Sequence, residues 1–303
     1  MGRKLDLGRF IRKQRVEGGL MSGVGAYVPG AVAPASHDAE AILDAIDAHL
    51  TDDAPLMARE WVTLALTDIL KSVKSLDVVG PRCEAIAARL SAMDERAFGG
   101  LQLKLQGGAF GPRDLREELA RRPAHEADPF VLRLFGLRHE PTAEKAREQQ
   151  MVHYKASPVV VAFELAEALS PDDVLFDLGS GLGVVPILVA WLAQVRAVGV
   201  ELEPAFNRVA RGCVERFSVP GVRVIESDAR TVDYREATAV YLFDPFRGEI
   251  LSDVMARVAE QAPEAAVYAL GGTTAVFDVW PSLALDRRLP SGTAVYRQVS
   301  SAA

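Results

Sequence analysis

The sequence predicts an α/β chain, in which a doubly wound, mostly parallel sheet is preceded by a small all-helical region. Three observations predict it. Short apolar runs recur after residue 170, each followed by a helical stretch or a loop, as in parallel strands buried on both faces. The first of these runs leads directly into three glycines spaced two apart, and then into a helix. From Ser36 to about His139, by contrast, the pattern is helical throughout.

At 303 residues the chain is long enough for two domains, and 49% hydrophobic residues supply a sizeable core. We expect a basic, glycine-rich arm over 1–35, a helical domain over 36–140 and a sheet domain over 141–303. The arm sets Arg3, Lys4, Arg9, Arg12, Lys13 and Arg15 against a single Asp6, with glycines behind it that read as a linker. Such a run is either a tail for an acidic partner or a solvated arm. Cys83 and Cys213 lie far apart and give neither zinc spacing nor a disulfide framework, which suits a reducing cytoplasm. No apolar run approaches the ~18 residues of a membrane span. The N-terminus lacks the apolar core of a secretory signal. A net charge of −7 argues against a dedicated nucleic-acid enzyme, because phosphate contacts dominate such binding.

In the helical half, Ser36 is placed to cap a helix through Leu50. Pro55 stands near the start of a second, which carries Trp61, Leu64, Leu66, Ile69 and Leu70. A third runs from Pro81 to Met93, and the glycine-rich stretch Gly99 to Gly111 is expected to break the pattern. Further helices follow Pro112 and span Phe130 to Leu137. This half reads as a substrate lid or a homodimerisation element, and both readings stay open. Next, Thr142 to His153 predicts a helix leading to His153-Tyr154-Lys155-Ala156-Ser157-Pro158. Ser157 and Pro158 form an N-cap and first-turn pair, opening a helix through Leu169.

The run from Val174 reads as a buried strand, then the acidic Asp177, then Gly179-Ser180-Gly181-Leu182-Gly183. Glycine tolerates positive φ and carries no side chain, so a cofactor can lie directly on this backbone. The helix from Val184 to Val195 turns its free N–H groups toward the same spot. A dinucleotide fingerprint would need a third glycine at residue 184 or 186, and these are Val184 and Pro186. The nicotinamide reading thus fails in either register.

The second strand, Ala197 to Val200, ends in Glu201, 22 residues after Gly179 and suited to ribose hydroxyls. A surface glutamate is the alternative. A helix from Pro204 to Phe217 and a strand from Val222 to Ile225 follow, then Glu226-Ser227-Asp228-Ala229. Asp228 reads either as a ligand contact or as a turn cap. The fourth strand, Ala239 to Phe243, leads into Asp244-Pro245-Phe246. A helix from Glu249 to Glu260 and a fifth strand, Ala266 to Leu270, come next. Leu283 to Leu289 and Thr293 to Val299 close the sheet around the turn Pro290-Ser291-Gly292. Ligands of open parallel sheets sit beyond the carboxyl ends of the strands, where the glycine loop, Glu201, Asp228 and Asp244 all fall.

The order Asp-x-Gly-x-Gly-x-Gly at Asp177 to Gly183 resembles the first motif of class I S-adenosylmethionine-dependent methyltransferases. It is a more specific string than a lone G-x-G-x-x-G, and the resemblance covers roughly residues 150 to 300. It implies a seven-stranded Rossmann-like sheet and the cofactor S-adenosyl-L-methionine, held by Asp177, Gly179, Ser180, Gly181, Gly183, Glu201, Asp228 and Ala229. Asp228 would face the adenine amino group. Asp244-Pro245-Phe246 resembles, incompletely, the motif beside the transferred methyl in amino-group methyltransferases, and more closely the strand-four end of Dot1-like lysine methyltransferases. Asp244 would then be catalytic with Tyr154, while Pro245, Phe246 and Lys155 line the substrate pocket. Lys155 is alternatively a partner for the cofactor carboxylate, and His153 is either a base or a packed or surface histidine. The resemblance implies methyl transfer, which we expect to be to an amine or lysine nitrogen of a small molecule or protein, with oxygen left open. Rival readings are a nicotianamine-synthase-like aminobutyrate transferase using the same cofactor, and a non-catalytic protein that binds it. No metal is implied.

Overall fold

The computed structural model describes residues 36–54, 56–72, 79–138, 141–146 and 148–299. The arm expected over 1–35 lies outside them. The chain divides into two compact units, one ending at Leu134 and the other resuming at Phe135. That division falls ahead of the expected boundary at 140/141. Phe135 accounts for it, since its ring stacks edge-on against Trp191 at 5.4 Å and Phe217 at 5.7 Å, both in the sheet unit.

The first unit is built from α1 (Ser36–His49), α2 (Leu56–Ser72), α3 (Val79–Gln106), α4 (Pro112–Ala120) and α5 (Ala127–Leu134). Leu43, Ile46, Leu66, Ile69, Ile86, Leu90 and Met93 form its core. Leu64 and Leu70 instead face solvent, at 46% and 44% exposure. The third helix passes through Gly99 and Gly100, where a break was expected, and stops only near Gly108, whose φ is +69°. Mid-helix glycine costs only about 1 kcal/mol each. Burial of Phe98 and Leu105 on either side offsets that cost, with Phe98 5.3 Å from the Phe130 ring. The last helix ends three residues before Leu137 because Gly136 takes a left-handed φ of +70°.

One charged cluster is buried in this unit. Arg133 is 3% exposed; its Nη1 donates to Glu60 at 2.8 Å, and its Nε donates to both Asp94 oxygens at 3.2 Å. Its Nη2 has no hydrogen-bond partner.

The second unit holds α6 (Val159–Ala168), β1 (Val174–Leu178), α7 (Val184–Ala193), β2 (Arg196–Glu201), α8 (Pro204–Phe217), β3 (Val222–Glu226), β4 (Ala239–Phe243), α9 (Gly248–Gln261), β5 (Ala266–Leu270), α10 (Thr273–Phe277), β6 (Leu283–Arg288) and β7 (Ala294–Gln298). Its seven-stranded sheet has the order β3-β2-β1-β4-β5-β7-β6. The first five strands are parallel, while β7 runs antiparallel to β5 and β6 antiparallel to β7. Central β1 is buried along its whole length, as a strand covered on both faces must be. The outermost strand, β6, carries a register shift between Leu285 and Arg287. At the β6–β7 turn, buried Glu164 of α6 accepts hydrogen bonds from the Ser291 N–H and hydroxyl.

Two expectations are corrected here. Among its described residues, the stretch from Thr142 to His153 is irregular rather than helical, and Met151 makes an isolated antiparallel bridge to Phe246. The Glu144, Lys145 and Val152 N–H groups bond to acceptors elsewhere in the unit, while Met151 N–H turns back to the Glu148 carbonyl. Ser157 does not cap the following helix; Pro158 takes the cap position, and the Ser157 hydroxyl bonds the Tyr241 hydroxyl at 3.0 Å. Helix α10 was not expected, and it begins directly after Gly271-Gly272. No helix among the described residues is long and apolar enough to cross a membrane.

Removing one partner of a buried ion cluster costs about 3–5 kcal/mol when the others are left uncompensated, but here Asp94 keeps Arg59 at 3.4 Å. Arg133→Ala is therefore expected to destabilise the helical unit by less than that, about 1–3 kcal/mol, in chemical denaturation. Arg133→Met, which also strips the charge but fills the space, should recover part of the loss. Equal stability of Arg133→Ala and wild type would show that the cluster contributes nothing net.

Candidate active site

The parallel strands end along one edge, with Leu178 level with Val200 and Leu242, and Glu201 level with Glu226. The glycine loop leaves β1 there and is fastened at once, because Gly179 and Ser180 N–H both donate to the Val200 carbonyl at 2.8 and 3.0 Å. Gly179, Gly181 and Gly183 all take positive φ, at +74°, +54° and +77°. A Cβ on each would collide with a different neighbour: the Pro245 ring at 2.4 Å, the Tyr154 ring at 2.1 Å and the Ala210 methyl at 2.9 Å. The loop is thus pressed from three sides by the β4 end, by the chain before α6 and by α8.

Glu201 fixes the loop from β2. One carboxylate oxygen accepts from Gly181 N–H and the other from Glu203 N–H, each at 2.8 Å. Burial pushes the Glu201 carboxyl above its ordinary pKa, although these donors oppose the shift. Asp177, 4% exposed in β1, is pushed well above the usual carboxylate range by burial and by the charge of Glu201. The Ser180 hydroxyl is buried without a partner.

Asp228 does what the turn-cap alternative described, and also faces the cavity. Its carboxylate accepts from Arg230 N–H at 2.8 Å and from the Arg230 guanidinium, which holds its pKa below the ordinary value. Ala229 is buried, and its carbonyl accepts from the Tyr234 hydroxyl at 2.6 Å.

Asp244 sits at a left-handed φ of +47° and turns its carboxylate toward the β5 loop. It accepts from Gly272 N–H at 2.8 Å, Thr273 N–H at 2.6 Å and the Thr273 hydroxyl at 2.8 Å. The carboxylate thereby caps α10. Pro245 lies on Gly179, and its carbonyl accepts from Val152 N–H at 3.1 Å. Phe246, 7% exposed, belongs to the core as well as to the cavity wall.

Residues 143–146 and 148–155 form a strap across these strand ends. Glu203, the cap of α8, also accepts from Glu144 and Lys145 N–H at 2.8 and 3.0 Å. Burial works against its ionisation, yet the three backbone donors outweigh it and hold the pKa low. Lys145 Nζ reaches the Leu202 carbonyl at 3.0 Å, Glu144 pairs with Arg208, and Glu148 pairs with Arg230 at 2.6 Å. Gln150 accepts from Ile250 N–H at 3.2 Å. Tyr154 lies 5.1 Å from the Phe206 ring, and Lys155 Nζ stands 5.2 Å above the Phe243 ring. His153 is exposed at the cavity wall.

Between strap and strand ends lies a cavity of about 130 Å³ that opens to solvent at its mouth. Gly179, Glu201, Asp228, Ala229, Asp244, Pro245, Phe246, Tyr154 and Lys155, all singled out from the sequence, meet at this one cavity. Sequence reasoning missed Glu203, Phe206, Phe243 and Arg230. Only Glu203 had a readable signal, as an acidic cap directly before Pro204. Among the described residues no group of three or more His, Cys, Asp or Glu is placed to hold a metal ion.

No protein-family model matches the chain. An uncharacterized protein of Methanocaldococcus jannaschii is 28% identical over 78 residues, which is 26% of this chain and 30% of that protein. The match thus spans less than a third of the relative's length. Among solved structures, an RNA methyltransferase from Salinibacter ruber, in complex with S-adenosyl-L-homocysteine, is 25% identical with a TM-score of 0.41, covering 49% of this chain and 96% of that one. A tRNA (uracil-54, C5)-methyltransferase of Pyrococcus abyssi, with the same ligand, is 18% identical with a TM-score of 0.37, covering 46% and 36%. Scores below 0.5 leave the site's own geometry to decide its chemistry.

Gly181→Ala forces a left-handed alanine, at roughly 1–2 kcal/mol, and drives the Tyr154 ring off the loop. The expected result is a destabilised unit whose strap amides exchange faster with solvent. Adding Tyr154→Ala should relieve the steric part and leave the backbone part. If the double variant is no better than Gly181→Ala alone, the ring is not what excludes the Cβ.

Asp177 gives a pH prediction. Its folded-state pKa is raised, so its favourable contribution is complete below the ordinary carboxylate pKa of ~4 and is lost as pH rises through the raised value. Asp177→Asn should therefore melt higher than wild type near pH 8 in the unliganded state, with the difference shrinking toward pH 5. A variant that melts lower at both pH values would refute the reading of Asp177 as a costly buried charge.

Proposed function

We propose that this chain is an S-adenosylmethionine-dependent methyltransferase acting on an amine or lysine nitrogen of a small molecule or protein. The observation that carries the reading is the meeting of a left-handed glycine loop, Glu201 and Asp228 at one cavity on the carboxyl edge of a parallel sheet. The residues fit that cofactor: Gly179 brings bare left-handed backbone to the cavity, and Glu201 and Asp228 bring immobilised carboxylates at the ends of β2 and β3. Bound S-adenosylmethionine supplies an activated methyl group, so the protein need only bind, align and keep out water.

In this reading Glu201 would hold the ribose through its unused lone pairs, and Asp228 with Ala229 would bound the base. Four carboxylates, Glu201, Glu203, Asp228 and Asp244, line the cavity against two ammonium groups, Lys145 and Lys155, an acidic balance that favours a cationic ligand and acceptor. The face of Phe243 already accommodates one ammonium, that of Lys155, at cation–π distance. This supports an amine nitrogen over oxygen. Three of roughly four acceptor positions on Asp244 are filled, leaving one to orient an incoming N–H.

The test pairs calorimetric binding of S-adenosylmethionine with transfer of labelled methyl to amine, protein and RNA fractions. Label is expected in amines or lysine side chains, with S-adenosylhomocysteine as co-product. Glu201→Ala should lose most binding, while Asp244→Ala should bind but transfer poorly. Methylthioadenosine as co-product would replace the proposal with aminobutyrate transfer. Binding without turnover on any acceptor would reduce the protein to a cofactor-binding one.

A further inference from the structure

Arg230 occupies an unusual junction. Its Nε lies 3.1 Å from both Asp228 oxygens and its Nη2 lies 2.6 Å from Asp228 Oδ2, a fork laid along the carboxylate. The same Nη2 donates to Glu148 Oε1 at 2.6 Å. One guanidinium therefore grips a residue of the cavity wall and, simultaneously, a residue of the strap. The short helical turn Ala229–Thr231 holds Arg230 in place, and the buried Tyr234 hydroxyl anchors that turn through the Ala229 carbonyl. Arg230 does not line the cavity itself.

Asp228 has little rotational freedom while this fork is intact, because backbone and guanidinium donors fix both oxygens. The Glu148 contact lies between sequence-distant segments, next to Gln150, Met151 and Val152, which bond toward the β4 end. Loss of Glu148 would remove the strap's tie to the β3 end and one of two acidic partners of Arg230. Loss of Arg230 would release Asp228 and that same tie.

We infer that Arg230 is a positioning residue for cofactor binding: it presets Asp228 at the β3 end of the cavity and links that preset to closure of the strap through Glu148. The inference rests on the methyltransferase reading of the cavity. Lysine at this position would keep a positive charge but lose the planar fork, so it would not replace arginine fully.

The experiment measures equilibrium binding and dissociation of S-adenosylhomocysteine for the full chain and for Arg230→Ala, Arg230→Lys, Glu148→Gln and the Arg230→Ala/Glu148→Gln pair. Arg230→Ala should weaken binding roughly tenfold, the scale of a lost charge-assisted hydrogen-bond set. Arg230→Lys should fall between. Glu148→Gln should speed ligand release with little change in melting temperature. In the double variant the Glu148 effect should vanish, because its partner is already gone. Wild-type affinity and release in Arg230→Ala, or additive effects in the pair, would overturn the inference. If Arg230→Ala does not fold, Glu148→Gln decides alone: unchanged ligand release overturns it. Failure of the wild-type chain to bind S-adenosylhomocysteine at all would instead overturn the functional reading beneath it.

Discussion

The Glu201 carboxylate is the contact on which the site depends. It bridges Gly181 of the loop after β1 and Glu203 at the start of α8, so two separate connections are locked to the tip of β2. Glu203, held in that place, then becomes the anchor of the strap through Glu144 and Lys145. Two carboxylates either side of Leu202 thus assemble floor and roof of one cavity from backbone N–H groups that would otherwise be unsatisfied at the sheet edge. The cost is the burial of Asp177 and Glu201, which pushes both carboxyls up, with neighbouring negative charge adding to the shift. A cationic ligand would relieve it, which is why the electrostatics and the proposed cofactor belong together.

The same economy recurs along the edge. Asp228 caps the turn after β3, and Asp244 caps the helix after β5. Each acidic residue that faces the cavity also spends lone pairs on local backbone. Preorganisation of this kind fixes the polar groups before a ligand arrives, and so reduces what binding must order. It also means that substituting any one of them disturbs a loop as well as a contact. Interpreting such variants requires a structural readout beside an activity.

Much of this was legible in the sequence because the sheet is strongly patterned. Strands β4 and β5 and helix α8 have the bounds expected of them, since apolar runs flanked by Pro, Asp or Gly leave little choice of register. The glycine loop and the acidic strand ends converge because parallel topology aligns strand termini, which periodicity alone reveals. The strap was misread as helix for a physical reason. Its residues have adequate helix propensity, but their N–H groups find better acceptors in Glu203 and the Pro245 carbonyl, which lie 58 and 93 residues away, respectively, from Lys145 and Val152. Tertiary acceptors of that sort leave no local trace. The long α3 erred the other way: Gly99 and Gly100 weaken a helix but do not end one when burial on both sides holds it. Arg230 was invisible because its importance lies in bridging two segments 82 residues apart.

The register shift in β6 bears on what happens at the far end of the sheet. An outer strand displays a row of unpaired backbone donors and acceptors that another chain can match. Between Leu285 and Arg287 this row is interrupted, and Asp286, Arg287 and Arg288 stand exposed at the interruption. A second molecule approaching edge to edge would meet a broken ladder and a cluster of charge, with Leu285 the exposed large hydrophobic residue left on that strand. The irregularity thereby makes this edge, one of the sheet's two, a poor template for self-association.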